Sequence, residues 1–127
     1  MSVNIPVSIG ELWDKYTILL IKNEKIIDTR KLALVRTELN YLQECMDKYA
    51  FQEDNLFIGL KDVNKKLWDI EDKLRIKESE KKFDNEFIQL ARAVYYINDE
   101  RADFKRNINS YYNSEIYEVK EYVDYKE

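Results

Sequence analysis

Histidine is missing from this chain altogether. Its absence removes Ser-His-Asp triads, histidine metal sites and the Glu-x-x-His ligands of ferritin-like di-iron bundles. Any enzyme here works with carboxylates, Lys, Arg, Tyr or the lone Cys45. That one cysteine also excludes an intrachain disulfide and fits a reducing cytoplasm, with Cys45 expected as a small, partly buried filler. Two glycines and one proline in 127 residues leave few breakers, which argues for long helices joined by short loops. No apolar run reaches the roughly 18 residues of a membrane span, and "MSVNIPVSIGE" lacks the pattern of a secretory signal. A net charge of -4 and a pI near 5.1 argue against a general nucleic-acid binder.

What is present reads as one all-α domain over 1–127, an antiparallel bundle of four long helices plus a short C-terminal helix, after an extended arm at 1–7. Ser8 and Glu11 make an S-x-x-E capping pattern, which predicts a first helix from Ser8 to about Ile27. Asp28 or Thr29 can cap a second helix to about Tyr49, with Leu32, Val35, Leu39, Leu42, Met46 and Tyr49 three and four apart. "AFQEDN" is a loop. Asp54 or Asn55 can start a third helix to about Glu80, with Leu56, Leu60, Val63, Leu67, Ile70 and Leu74 in the same spacing; Gly59 would let its start slide to Asp62. Asp84 is the expected cap of a fourth helix, with Phe83 and Ile88 placed as a hydrophobic staple and the stripe running through Phe87, Leu90, Val94, Ile97 and Phe104 to Ile108. Asn113 or Ser114 would cap the last short helix, docked by Tyr111, Tyr117 and Tyr122. Heptad-like stripes on successive helices are the seams of coiled-coil or bundle packing.

The first helix differs from the others. "TILLI" makes it apolar nearly all round, so it is either central in the bundle or covered by a second copy. The second option makes Ile18 and Ile21 the interface of a homodimer. "ELWDKYTILLIK" also has an echo in "KLWDIEDKLRIK", where Leu12, Trp13 and Asp14 recur as Leu67, Trp68 and Asp69. Convergence on a packing solution explains that echo more simply than duplication, since Leu and Trp are ordinary core residues.

Polar residues inside these seams are the candidate site. Asn23 takes a core position after Tyr16 and Leu19 and is expected to be buried; Arg101 sits between Ile97 and Phe104 and needs a carboxylate or an anionic ligand. Asp14 and Asp69 are its natural partners, and a register-fixing ion pair would explain Arg101 without any ligand. Glu100 and Asp103 share one helical face, as a magnesium site on a helix needs, and the facing pair would have to be Glu11 with Asp14. Solvated charged faces produce such spacings constantly. Arg101, Lys105 and Arg106 near the end of the fourth helix also meet its dipole favourably.

"IPVSIGELWDKYTILLIKNEKI" with "LARAVYYINDERADFKRNIN" resembles an uncharacterised domain-of-unknown-function family of small helical bacterial and viral proteins, whose N-terminus reads V-S-x-G-E-L-x-D-K-x-x-I-L-x-I-K. The resemblance spans nearly the whole chain and carries over Ser8, Gly10, Glu11, Asp14, Lys15 and Lys22, then Asn98, Arg101 and Lys105. It implies a helical fold and no catalytic assignment. It also draws Asp14, Lys15, Asn98, Arg101 and Lys105 into one polar corner, with Asp14 orienting Arg101 and Lys15 or Lys105 facing an anion. Two readings of function follow. One is a non-enzymatic, homo-oligomeric module for protein–protein contact that needs no cofactor. The alternative is a small enzyme or binder of a phosphorylated metabolite, such as a nucleotide or sugar nucleotide, using carboxylates with magnesium and Arg/Lys for phosphate.

Overall fold

The computed structural model describes residues 1–49 and 51–126. Four helices follow in order: α1 (Ile9–Lys25), α2 (Thr29–Lys48), α3 (Asn55–Ser79) and α4 (Asn85–Tyr111). Among the described residues there is no strand. Each helix starts at an oxygen-bearing cap. Ser8, Asp28, Asp54 and Asp84 accept from the backbone N–H groups of Glu11, Lys31, Phe57 and Phe87. Each such bond pairs a donor that a helix start leaves open and is worth about 1 kcal/mol. The expected staple is rearranged: Phe83 meets the Phe87 ring edge-on at 5.3 Å, and Ile88 stays 50% exposed.

Helix ends differ from expectation in two places. α1 stops before Ile27, because Ile26 is already extended on the way to the capping Asp28, which leaves Ile27 91% exposed. The short C-terminal helix is not formed. Asn113 adopts φ 53° and ends α4, with the Ser114 N–H returning to the Asn109 carbonyl at 2.8 Å. The Ser114 hydroxyl, the other expected cap, is committed elsewhere: it accepts from the Ile9 N–H at 3.1 Å and donates to the Ile116 carbonyl at 2.7 Å. Beyond it the chain carries no helix up to Lys126. Tyr117 and Tyr125 dock this segment, while Tyr111 and Tyr122, expected to do so, are 70% and 69% exposed.

α1 is the central helix. It packs against α2, α3 and α4, whereas α2 touches no other helix and α3 packs on α4. Positions advance along α1 as they retreat along α4 (Gly10 to Asn109, Asp14 to Arg101) and along α2 (Tyr16 to Gln43, Asn23 to Arg36). Of the two residues assigned to a dimer interface, this packing closes off Ile21 and not Ile18. Ile21 is 1% exposed inside its own chain, while Ile18 is half-buried on the side of α1 where Lys15 and Lys22 also stay partly open. Asn23, expected in the core, is instead half-buried, at a rim where it accepts from Arg36 Nε at 3.1 Å.

The core lies where the first half of α1 meets the end of α2, the start of α3 and the end of α4. Trp13, fully buried, is enclosed by Phe51, Phe57 and Tyr112 at ring distances of 5.6, 5.7 and 5.1 Å, and Leu60, Met46 and Ile108 complete the cluster. Close approach depends on the two glycines. A Cβ at Gly10 would lie 2.6 Å from the Lys105 carbonyl, and one at Gly59 would strike the Phe104 ring, so Gly59 stays inside α3 as the place where α4 crosses. On α2 only Met46 is buried, since that helix has a single helical neighbour, and Cys45 is exposed rather than a filler. The two LWD stretches are not equivalent: Trp13 is buried and Trp68 only half-buried, while Asp69 pairs with Lys25 at the surface.

Candidate functional site: a buried ion network between α1, α3 and α4

Asp14 lies one step round α1 from Trp13 and is 1% exposed. A carboxylate so far from water needs donors on both oxygens. Arg101 supplies two, Nε to Oδ1 at 2.9 Å and Nη2 to Oδ2, the bidentate arrangement that suits a planar guanidinium. Asn64 of α3 donates to Oδ1 at 3.0 Å and also to Thr17 Oγ1 at 3.0 Å, while the Thr17 hydroxyl donates to the Asp14 carbonyl. Asn98, one turn before Arg101, accepts from its Nη1 at 3.4 Å. The hydrogen bonds to Asp14 hold Arg101 above its already high range despite the opposing effect of burial.

Lys105 comes next along the same face of α4 and keeps only 9% of its side chain exposed. Its ammonium donates to Glu11 and to Glu118, each at 2.9 Å, and stands 3.9 Å from Asp14. Burial alone would lower its pKa, but the bonds to Glu118 and Glu11 and the charge of Asp14 outweigh burial and raise it. Glu118 is held below the ordinary carboxylate range, chiefly by the Lys105 bond. Both partners therefore stay charged at neutral pH. Glu11 is thus drawn to Lys105, and α1's opening donors find other acceptors: Ile9 N–H on Ser114 and Gly10 N–H on the buried Asn109 side chain at 2.6 Å. The positive end of α1 is filled from within the chain.

Of the sequence-predicted residues, the structure brings together Asp14, Asn98, Arg101 and Lys105. Lys15 is not among them: it projects from α1 toward α2, 3.8 Å from Glu38, with about half of its side chain exposed. Asp69 is also apart. The four carboxylates weighed for magnesium do not converge. Glu11 and Asp14 are engaged by Lys105 and Arg101, Asp103 pairs with Arg106 at 2.9 Å, and Glu100 is exposed. Among the described residues no three acidic or sulfur side chains form a metal-holding group.

Sequence reasoning missed Asn64, Thr17 and Glu118. Asn64 had a faint signal, a polar residue beside Val63 in a helix whose next core position is Leu67. Glu118 had none, because it lies where a last short helix was expected and reaches Lys105 only in the absence of that helix.

Among the described residues no helix is long and apolar enough to cross a membrane. Neither a curated protein nor a solved structure matches the chain. A family model does match, over residues 1–125, and the chain therefore belongs to that family, DUF6165, described as a family of unknown function.

Proposed function

We propose that this protein is a non-enzymatic helical interaction module that pairs with a second copy of itself through the far halves of α3 and α4. One observation carries the reading: from Trp68 to Phe104 no residue is buried, although the apolar stripe continues through that whole span. Leu74, Phe87, Leu90, Val94 and Ile97 are only half-covered, and Ile76, Phe83 and Ile88 are 55%, 55% and 50% exposed. The polar contacts of α1 reach Asp69 of α3 and Arg101 of α4, and beyond them the C-terminal segment touches α4 through Tyr125, which lies against Tyr95 and Tyr96. A stripe of this kind is stabilised when a second hairpin closes it into a four-helix bundle with antiparallel neighbours.

Charge favours a twin as the occupant. Between Ile70 and Ile97 there are six Lys/Arg and six Asp/Glu, so two arms meet without net repulsion, and nothing in the arm selects a partner of one sign. The reading requires no cofactor, and a cytoplasmic setting suits a chain with a single exposed cysteine.

Sedimentation velocity and light scattering test it. The native protein is expected to run as a dimer, and Ile76→Lys with Ile88→Lys as a monomer with an unchanged helical circular-dichroism spectrum. A native protein that stays monomeric at its highest soluble concentration overturns the reading.

A further inference from the structure

The segment after α4 turns back along the helix it has just left. Glu118 receives Lys105, and further on Tyr125 reaches Tyr95, so the chain runs from the α1–α4 contact toward the α3–α4 arm. Among the described residues no backbone–backbone hydrogen bond involves positions 115–126, so each hydrogen bond that holds this segment uses a side chain. Its end is seated by Tyr125. That hydroxyl donates to the Tyr95 carbonyl at 3.3 Å and to the Asp99 carboxylate, and the ring meets Tyr95 and Tyr96 edge-on at 4.8 and 4.9 Å. Lys126 adds an ammonium 3.8 Å from Asp99.

The seat borders the apolar face that self-pairing uses. Ala91, Val94 and Tyr95 of α4 face Tyr122, Val123 and Tyr125 across a cavity of about 580 Å³. Val94 belongs to the half-covered stripe of the arm, and Ala91 beside it is half-buried as well. The fit is loose: Tyr122 and Val123 border the cavity and still stay 69% and 89% exposed. A segment that buries little and leaves its peptide groups to water belongs to the least stable part of a fold and is released at low cost. A second hairpin packed on this face would bury the same α4 residues against apolar side chains, and it cannot reach Val94 and Ala91 while the segment lies over them.

We propose, resting on the self-pairing reading above, that residues 119–126 are an intramolecular competitor of the second copy: Tyr125 anchors them beside Ala91 and Val94 of α4, and pairing displaces them. The chain thereby weakens its own dimer, and the strength of pairing is set by how firmly Tyr125 is seated.

Sedimentation velocity of the full chain over a concentration series, native against Tyr125→Ala, tests this. Each copy must free its own face, so the apparent dimer Kd varies with the inverse square of the free fraction. A roughly threefold rise in that fraction tightens the dimer about tenfold. Tyr125→Ala is expected to show that gain, and Tyr125→Phe, which keeps the ring and loses the hydroxyl, a smaller one. A second measurement uses the native protein alone: the ring signals of Tyr125 in NMR should move toward those of a free tyrosine as rising concentration drives pairing. A native dimer that Tyr125→Ala leaves unchanged or weakens, or ring signals that keep their docked positions through dimerisation, overturns the competitor and leaves self-pairing standing. Native and variant chains that are both monomeric at the highest soluble concentration overturn self-pairing itself, and the competitor with it.

Discussion

Removing the Asp14 carboxylate is the sharpest perturbation of this molecule. Asp14→Ala takes the partner from an Arg101 whose side chain is only 30% exposed, and leaves Asn64 with Thr17 alone. Breaking one side of a buried ion pair costs about 3–5 kcal/mol, mostly because the remaining charge is stranded. Water reaches part of Arg101, so the lower end applies, about 3 kcal/mol. In a chain of this length that corresponds to a fall in Tm of about 10 °C. Urea denaturation followed by circular dichroism measures it directly. The double variant Asp14→Leu, Arg101→Met removes both charges and keeps apolar volume, so it should recover to within about 1 kcal/mol of native. Arg101→Met strands the more deeply buried Asp14 and should cost at least as much as the loss of Asp14, so a double-mutant cycle built on Asp14→Leu and Arg101→Met should return a coupling of about 5 kcal/mol. A single-variant cost under about 1 kcal/mol, the value of a surface pair, would refute the view that this network is held away from water.

Three further outcomes follow from local geometry. Gly10→Ala should destabilise by about 2 kcal/mol in the same assay, because its Cβ would face the Lys105 carbonyl at 2.6 Å, and backbone cannot swing aside as a flexible side chain would. Lys81→Gly should stabilise by about 1 kcal/mol, since Lys81 closes α3 at φ 56°, where a Cβ is unfavourable. Docking of residues 115–126 should be flat across neutral pH. Glu118's contribution is complete above its unfolded value of about 4.3 and is lost as pH falls through the lowered folded value. That of Lys105 is complete below about 10.4 and is lost as pH rises through the raised folded value. Chemical shifts of residues 115–126 followed by NMR against pH should change only at those two ends.

Helix identity and helix starts were legible from residue types alone. Apolar spacing of three and four follows from the helical repeat, and Ser8, Asp28, Asp54 and Asp84 act through atoms within three residues, so no tertiary information is needed to place them. Arg101 was legible for a related reason, because a cation inside an apolar seam announces a missing partner.

The fate of α1 was not decided locally. Its all-round apolar surface was equally consistent with a central position and with a twin, and only the packing of α2, α3 and α4 around it buries Ile21. Asn113 and Ser114 show the same limit. Either could have capped a last helix, but the Ser114 hydroxyl is claimed by the Ile9 N–H, 105 positions away in sequence. Glu118 reaches Lys105 only because that helix never forms. Periodicity and capping report what a segment does with its neighbours along the chain. Which partner satisfies a buried charge, and which of two competing bonds a hydroxyl makes, depends on groups that come together only in three dimensions.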